Sequence, residues 1–387
     1  MVTLLSKIFI KDPDTEQPKV RQAYGILSGA VGIFFNLLLF AGKFFAGTLS
    51  NSISITADAF NNLSDAGSSV ITLIGFKMAG QKPDPTHPFG HGRIEYLSGL
   101  AVSAAILLMA VELFKSSLAK LLHPEEVNFS PLIVGILIVS ILVKCYMYLY
   151  NRSISKKIHS EAMMATASDS LSDTLATSVV LLTTLIAHFS GLSLDGICGI
   201  LVALFIFYTG FTSARDTLNP LLGQAPDPAF VKEIEDLVLS YDNVIGVHDL
   251  LVHNYGPGRT MISLHAEVPA DGDILTLHDM IDNIERDLRS RLKCDAVIHM
   301  DPVCINDPFV NELRAQVCGF LNDIDASLSL HDFRVVKGPT HTNIIFDVLI
   351  PYRFRLSDEE VCRILRERIT ELDSNFFAVI NVDKKYA

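Results

Sequence analysis

Four oxygen-bearing side chains stand where the chain is otherwise apolar. Asn61 and Asp65 close the run Ala57-Asp58-Ala59-Phe60-Asn61-Asn62-Leu63-Ser64-Asp65, and Asp169 and Asp173 recur in Ser168-Asp169-Ser170-Leu171-Ser172-Asp173. Each pair is spaced i,i+4 and shares one helix face. A charged side chain at the bilayer centre costs roughly 2.5–3.5 kcal/mol on insertion scales, so such residues are kept for a purpose or hidden from lipid. Two helices that each offer such a pair can close around one cation. Interhelical hydrogen bonding is the other use of polar groups in a membrane. Asn would suit that role, but three unpaired carboxylates would cost on the order of 8–10 kcal/mol. No Lys or Arg is expected at mid-depth to neutralise them; a divalent cation or protons would. All four donors are oxygens, which suit hard ions such as Mn2+, Mg2+ or Ca2+, whereas imidazole and thiolate favour Zn2+, Cu and Ni. Asp58 and Asn62, a turn away, either support this set or serve helix packing.

Two other groups have ligand chemistry. Asp84, His87 and His91 lie in a loop with Pro83, Pro85 and Pro88. They could hold a metal, or form a rigid turn whose polar groups cap the neighbouring helices. In the C-terminal part, His248, His265, His278, His299 and Asp301 form a third set, with His299 and Asp301 two apart on a strand and facing the same way.

The elements that must position these groups follow from the apolar pattern. Six segments approach or exceed the ~20 residues needed to span a bilayer: Tyr24–Gly47, Ile53–Ala79, Leu97–Leu118, Leu132–Tyr150, Ala162–His188 and Leu192–Thr212. Lys43, Glu112 and Lys144 are read near span ends, where their side chains would snorkel. Lys7, Lys11, Lys19 and Arg21 before the first span, Lys77, Lys82 and Arg93 after the second, and Arg152, Lys156 and Lys157 after the fourth mark one side; Arg215 follows the sixth. The other side has little beyond Lys115 and Lys120. Both termini are therefore expected in the cytoplasm of a multi-pass protein of the inner or plasma membrane. No cleavable signal peptide is expected, and six cysteines without a CxxC pair suit free thiols in a reducing compartment.

After Ala225-Pro226-Asp227-Pro228 the pattern changes to a soluble α+β domain. Helices are expected at Phe230–Tyr241 and Leu275–Leu292, and strands at Val244–His253, Thr260–Val268 and Ala296–Met300. The net charge of -12 resides here: residues 1–223 hold 15 Lys+Arg and 15 Asp+Glu, leaving 16 against 28. An acidic soluble domain excludes nucleic acid as the expected partner. The αββαβ order then recurs. Arg259–Pro269 lines up with His341–Pro351 and Ala296–Asp301 with Ala378–Asp383, both offset by 82, while His248-Asp249-Leu250 answers His331-Asp332-Phe333. The expected domains are a cytoplasmic segment (1–23), a six-helix transport domain (24–215), a linker (216–227), a ferredoxin-like αββαβ domain (228–303) and a diverged second copy (304–387). In that copy Asp347 stands opposite His265 and Asn381 opposite His299, so it is expected to keep the fold and lose the ligand set.

The run 57–65, His87-Pro88-Phe89-Gly90-His91-Gly92-Arg93-Ile94-Glu95, and Leu221-Leu222-Gly223 leading into Ala225-Pro226-Asp227 resemble the cation diffusion facilitator family over about residues 20–301. The resemblance implies a proton-coupled exporter of divalent metals, usually dimeric, with a cytoplasmic ferredoxin-like domain. It places transport ligands at Asn61, Asp65, Asp169 and Asp173. In some members the loop positions Asp84, His87 and His91 bind metal, and His248, His265, His278, His299 and Asp301 match positions that carry metal at the dimer interface. Zinc members have His at the position of Asn61 or of Asp169. Asn-Asp with Asp-Asp resembles the bacterial manganese-exporting branch, in agreement with ligand hardness. With no imidazole in the set, a carboxylate is expected to carry the exchanged proton, and Asp169, which stands where some relatives have His, is the expected carrier. The expected function is Mn2+ export by proton antiport from a homodimer, with no prosthetic group and no enzymatic activity. Export of Zn2+, Fe2+ or Co2+ remains an alternative within the family. An intramembrane aspartyl protease, for which a Gly-x-Gly-Asp signature is lacking, and a metal-sensing regulator are alternatives outside it.

Overall fold

A computed structural model describes residues 10, 17–49, 53–122, 130–190 and 195–385. The expected charges Lys7 and Lys11 lie outside the described residues, as do Leu192–Leu194 at the start of the sixth segment. The chain divides into two compact units, one holding six long helices and the other two small sheets.

The helices are α1 (Pro18–Leu49), α2 (Ile53–Ala79), α3 (Ile94–Leu122), α4 (Pro131–Ile158), α5 (Glu161–Ser190) and α6 (Asp195–Leu222). Five of them, all but α2, are long and apolar enough to cross a membrane by length and composition. α2 has the length, 27 residues, but Asn61, Asn62 and Asp65 dilute its apolar character. Large apolar side chains such as Leu108, Phe189, Leu201 and Phe211 are exposed on the outside of the bundle, as a lipid-facing surface requires. α1, α3, α4 and α5 run past the apolar segments at both ends because polar residues continue the backbone hydrogen bonding. α4 extends to Ile158, where His159 turns into the left-handed region at φ 47°; α6 runs on through Pro220 into the expected linker.

Small residues let α1 and α2 approach closely. A Cβ on Gly25 would stand 2.1 Å from the Phe76 ring, and one on Gly29 2.7 Å from the Leu73 Cβ. α1 and α3 are joined by a buried pair, Arg21 Nη2 to Glu95 Oε1 at 3.0 Å, and Ser160, just before α5, donates to the same oxygen at 2.5 Å.

The second unit has the order α7 (Pro228–Leu239), β1 (Gly246–Asn254), β2 (Thr260–Pro269), α8 (Ile274–Leu292), β3 (Cys294–Val303), then α9 (Pro308–Ile324), β4 (Ser329–Lys337), β5 (Thr342–Pro351), α10 (Asp358–Leu372) and β6 (Phe376–Lys385). The strands form two sheets, ordered β1-β2-β3 and β4-β5-β6. β2 runs parallel to β3 with Thr260 opposite Cys294, and β5 parallel to β6 with Thr342 opposite Phe376, so the two registers share the offset of 82. Alternation explains each core: Ile262, Leu264 and Ala266 of β2 bury against Ile234, Ile284 and Leu288, and Ile344, Phe346 and Val348 of β5 against Val317, Leu321, Val361 and Leu365. Asp227, Asp273, Asp307 and Ser357 cap the four helices, each accepting from a backbone N–H of the first turn. Asp249 and Asp332 occupy matching left-handed positions, with φ of 50° and 51°. Asp tolerates that conformation better than most residues, and it redirects the chain just after His248 and His331.

Candidate metal centres

Asp65 on α2 and Asp169 and Asp173 on α5 bring carboxylate oxygens within 4.8 Å of one another. Asp169 is buried and the other two are half-buried. The two helices are held face to face by Thr72 and Thr166, whose hydroxyls are 2.9 Å apart. Thr72 lies two turns after Asp65 and Thr166 two turns before Asp173, so each shares a face with its aspartate. From α1, Asn36 donates to Ser69 Oγ at 3.3 Å, and that hydroxyl donates to the Asp65 carbonyl at 3.2 Å. Asn61 lies one turn before Asp65 and is exposed. Asn62 serves packing: its Oδ1 accepts from Lys43 Nζ at 2.8 Å, tying α2 to α1. The side chain of Asp58 lies outside the described part of the chain.

A fourth ionic group enters this site, and it corrects the sequence reading. Lys144 on α4 donates to Asp65 Oδ2 at 2.7 Å and to Asp173 Oδ2 at 2.5 Å, with its side chain 4% exposed. The apolar segment Leu132–Tyr150 placed Lys144 near a span end; the helix runs to Ile158, which puts it at mid-length. Lys43 does not snorkel either, being buried on Asn62, whereas Glu112 is exposed. The expectation that no Lys neutralises the aspartates is thus overturned. One ammonium against three carboxylates still leaves negative charge that a cation or protons would offset.

In the loop, Asp84, His87 and His91 come together. His87 Nδ1 and His91 Nε2 stand 3.3 and 3.5 Å from the Asp84 carboxylate. The same carboxylate accepts from the backbone N–H of Thr86 and His87 at 2.9 and 2.7 Å, an Asx turn. The Thr86 hydroxyl and these N–H groups hold Asp84 at a pKa of about 2. Among the described residues His91 Nδ1 is buried without a hydrogen-bond partner. The group forms an Asx turn whose three side chains also lie close enough together to hold a metal ion.

In the first sheet His265, His299 and Asp301 converge, as do His248, Asp249 and His265. Asp301 Oδ2 lies 2.9 Å from His265 Nδ1 and 3.0 Å from His248 Nε2. Asp301 Oδ1 is 3.3 Å from His299 Nε2. Burial disfavours the charge on Asp301, yet His248 and His265 outweigh it and hold its carboxyl below the usual range. His278 does not join them. Leu277, Ile281, Ile284 and Leu288 fix the buried face of α8, which leaves His278 exposed beside Asp282 at 3.6 Å.

The second sheet also differs from expectation. Asp347, His331 and Asp383 meet Asp249 of the first sheet in a group of four, while Asn381 donates to Asp347 Oδ1 at 2.8 Å. The His331 imidazole holds the Asp249 carboxyl below its ordinary range. Burial works against charge on His331, but Asp249, Asp383 and Asp347 together raise its pKa. Alignment position for position could not find this group, because Asp249 comes from the other sheet.

Residues 30–222 match the cation efflux transmembrane domain, and residues 226–303 the cation efflux protein cytoplasmic domain. An uncharacterized transporter of Methanocaldococcus jannaschii is 35% identical over 274 residues, 70% of this chain and 96% of the relative. The chain belongs to the cation diffusion facilitator family. Cation-efflux pumps named FieF from Salmonella typhimurium and Salmonella newport are 27% identical over 290 residues, 74% of this chain and 96% of theirs. This cation diffusion facilitator is a multi-pass membrane transporter rather than an enzyme. Both domain matches end by residue 303, before α9.

Proposed function

We propose that this chain exports divalent metal cations from the cytoplasm, Mn2+ foremost, in exchange for protons, through Asn61, Asp65, Asp169 and Asp173. The observation that carries this reading is the convergence of three carboxylates from α2 and α5 inside a bundle of apolar helices. Oxygen-only ligation favours the harder ions. Lys144 acts in this scheme as a resident counter-ion: its ammonium satisfies Asp65 and Asp173 when no metal is bound, and the entering cation competes for the same oxygens. Asp169, which carries no Lys contact at hydrogen-bond distance among the described residues, is the proton carrier. The protein works as a homodimer in the cell membrane with both termini cytoplasmic. Residues 24–215 form the transport domain, 228–303 a ferredoxin-like domain and 304–387 its diverged copy; the shared 82-residue register supports the duplication. Cytoplasmic metal at His248, His265, His299 and Asp301 accompanies transport. Inverted vesicles supplied with external Mn2+ or Zn2+, with and without a pH gradient, test the whole reading. Mn2+ uptake driven by the gradient and abolished in Asp65→Ala and Asp173→Ala is the expected result. Uptake that prefers Zn2+, or that ignores the gradient, rejects the selectivity or the coupling.

A further inference from the structure

Two observations in the second unit have no role in transport as described so far. The first is that the two repeats meet through polar contacts. The buried Glu267 of β2 accepts from the backbone N–H of Asp332 at 3.0 Å, and Arg314 of α9 stands 3.9 Å from its other oxygen. The rings of His248 and His331, matching residues of the two repeats, lie 4.3 Å apart between centroids. Each repeat thus presents the same residue to the other, as in an isologous pair of subunits.

The second is the content of that junction. Asp249, His331, Asp347 and Asp383 put one ligand atom each within 4.8 Å of one another. His331 Nε2 lies 3.1 Å from Asp383 Oδ2 and 3.6 Å from Asp249 Oδ1. Among the described residues none of these three carboxylates is paired with Lys or Arg, whereas the neighbouring Asp332 is held by Arg334 at 2.7 Å. Beside the cluster, His248 is 7% exposed with its Nε2 3.0 Å from Asp301 Oδ2, and its Nδ1 has no hydrogen-bond partner among the described residues. A ring nitrogen of His248 lies within 4.8 Å of the Asp249 carboxylate. A buried ring nitrogen left without a partner is costly, and this imidazole lies beside a carboxylate shared with the cluster.

We propose that the two repeats of one chain close on each other to form a divalent-metal site from Asp249 of the first and His331, Asp347 and Asp383 of the second, beside the His265, His299 and Asp301 group. One imidazole and three carboxylates suit Mn2+ and also accept Zn2+. Metal in this site links the repeats without a second subunit. Asp249 would bridge the two groups, since it also lies near His248 and His265.

Metal content of the full-length protein in nanodiscs, equilibrated with Mn2+ alone or Zn2+ alone, tests this. Asp347→Asn with Asp383→Asn should lose one ion per chain relative to wild type, and His299→Ala should lose a different one, so that the combined variant loses two. His341→Ala, outside the cluster, should keep the wild-type count. His331→Gln alone gives a second reading should the double variant fail to fold, and it too should lose one ion. Unchanged counts in both the double variant and His331→Gln for both metals overturn the proposal. Loss of only one ion in the combined variant also overturns it, because the two groups would then be a single site.

Discussion

Replacing Lys144 by Met removes the ammonium and keeps an unbranched apolar stem in its place. In the native protein that ammonium is shared by Asp65 and Asp173 at 2.7 and 2.5 Å, away from water. Removing one partner of a buried ionic group costs about 3–5 kcal/mol, because the opposite charge is left uncompensated. A metal ion that enters the variant recovers this cost, whereas in wild type it must first displace the ammonium. Allowing the ammonium to keep one of its two contacts after metal entry halves the effect to ~2 kcal/mol, which at 1.4 kcal/mol per decade is a Kd lower by about 30-fold. Tighter binding comes mainly from slower release, so turnover should fall as affinity rises. Lys144→Arg keeps the charge and should stay within a few-fold of wild type. The assay is Mn2+ titration in nanodiscs at fixed pH and ionic strength, with uptake by proteoliposomes measured on the same preparations. A Lys144→Met protein that is helical and monodisperse yet binds Mn2+ no tighter than wild type would refute the competition. Lys144 would then be a structural tie between α4 and its neighbours.

Other outcomes follow from the same geometry. Asn61→His should shift transport toward Zn2+ at the expense of Mn2+, since imidazole raises affinity for the softer ion; competition uptake with both metals reads this, and an unchanged ratio removes Asn61 from the ligand set. Asp169→Asn should keep weak Mn2+ binding but lose the pH dependence of uptake, and a profile between pH 6 and pH 8 that still follows wild type would place the exchanged proton elsewhere. Gly29→Val should separate α1 from α2, because even a Cβ there would stand 2.7 Å from Leu73; overpacking of this kind costs about 1–3 kcal/mol and should appear as a lower melting temperature of the purified protein.

Much of this molecule is legible in one dimension. Apolar runs long enough to span announce helices, because a bilayer leaves the backbone no other way to satisfy its polar groups. The i,i+4 spacing of Asp169 and Asp173 puts them on one face whatever the rest of the chain does. The alternation in Thr260–Pro269 and Thr342–Pro351, with its offset of 82, dictates two sheets of like register. What sequence could not supply is which residues meet across elements. Lys144 reads as a snorkelling lysine until the true end of α4 at Ile158 is known, because helix ends are set by where backbone hydrogen bonding stops and not by where hydropathy falls. His278 has the right type and a matching position, yet the apolar stripe of α8 turns it outward. Asp249, His331, Asp347 and Asp383 become neighbours only where the two sheets meet. A cluster assembled from both sheets leaves no periodic trace in either, so only tertiary structure decides it.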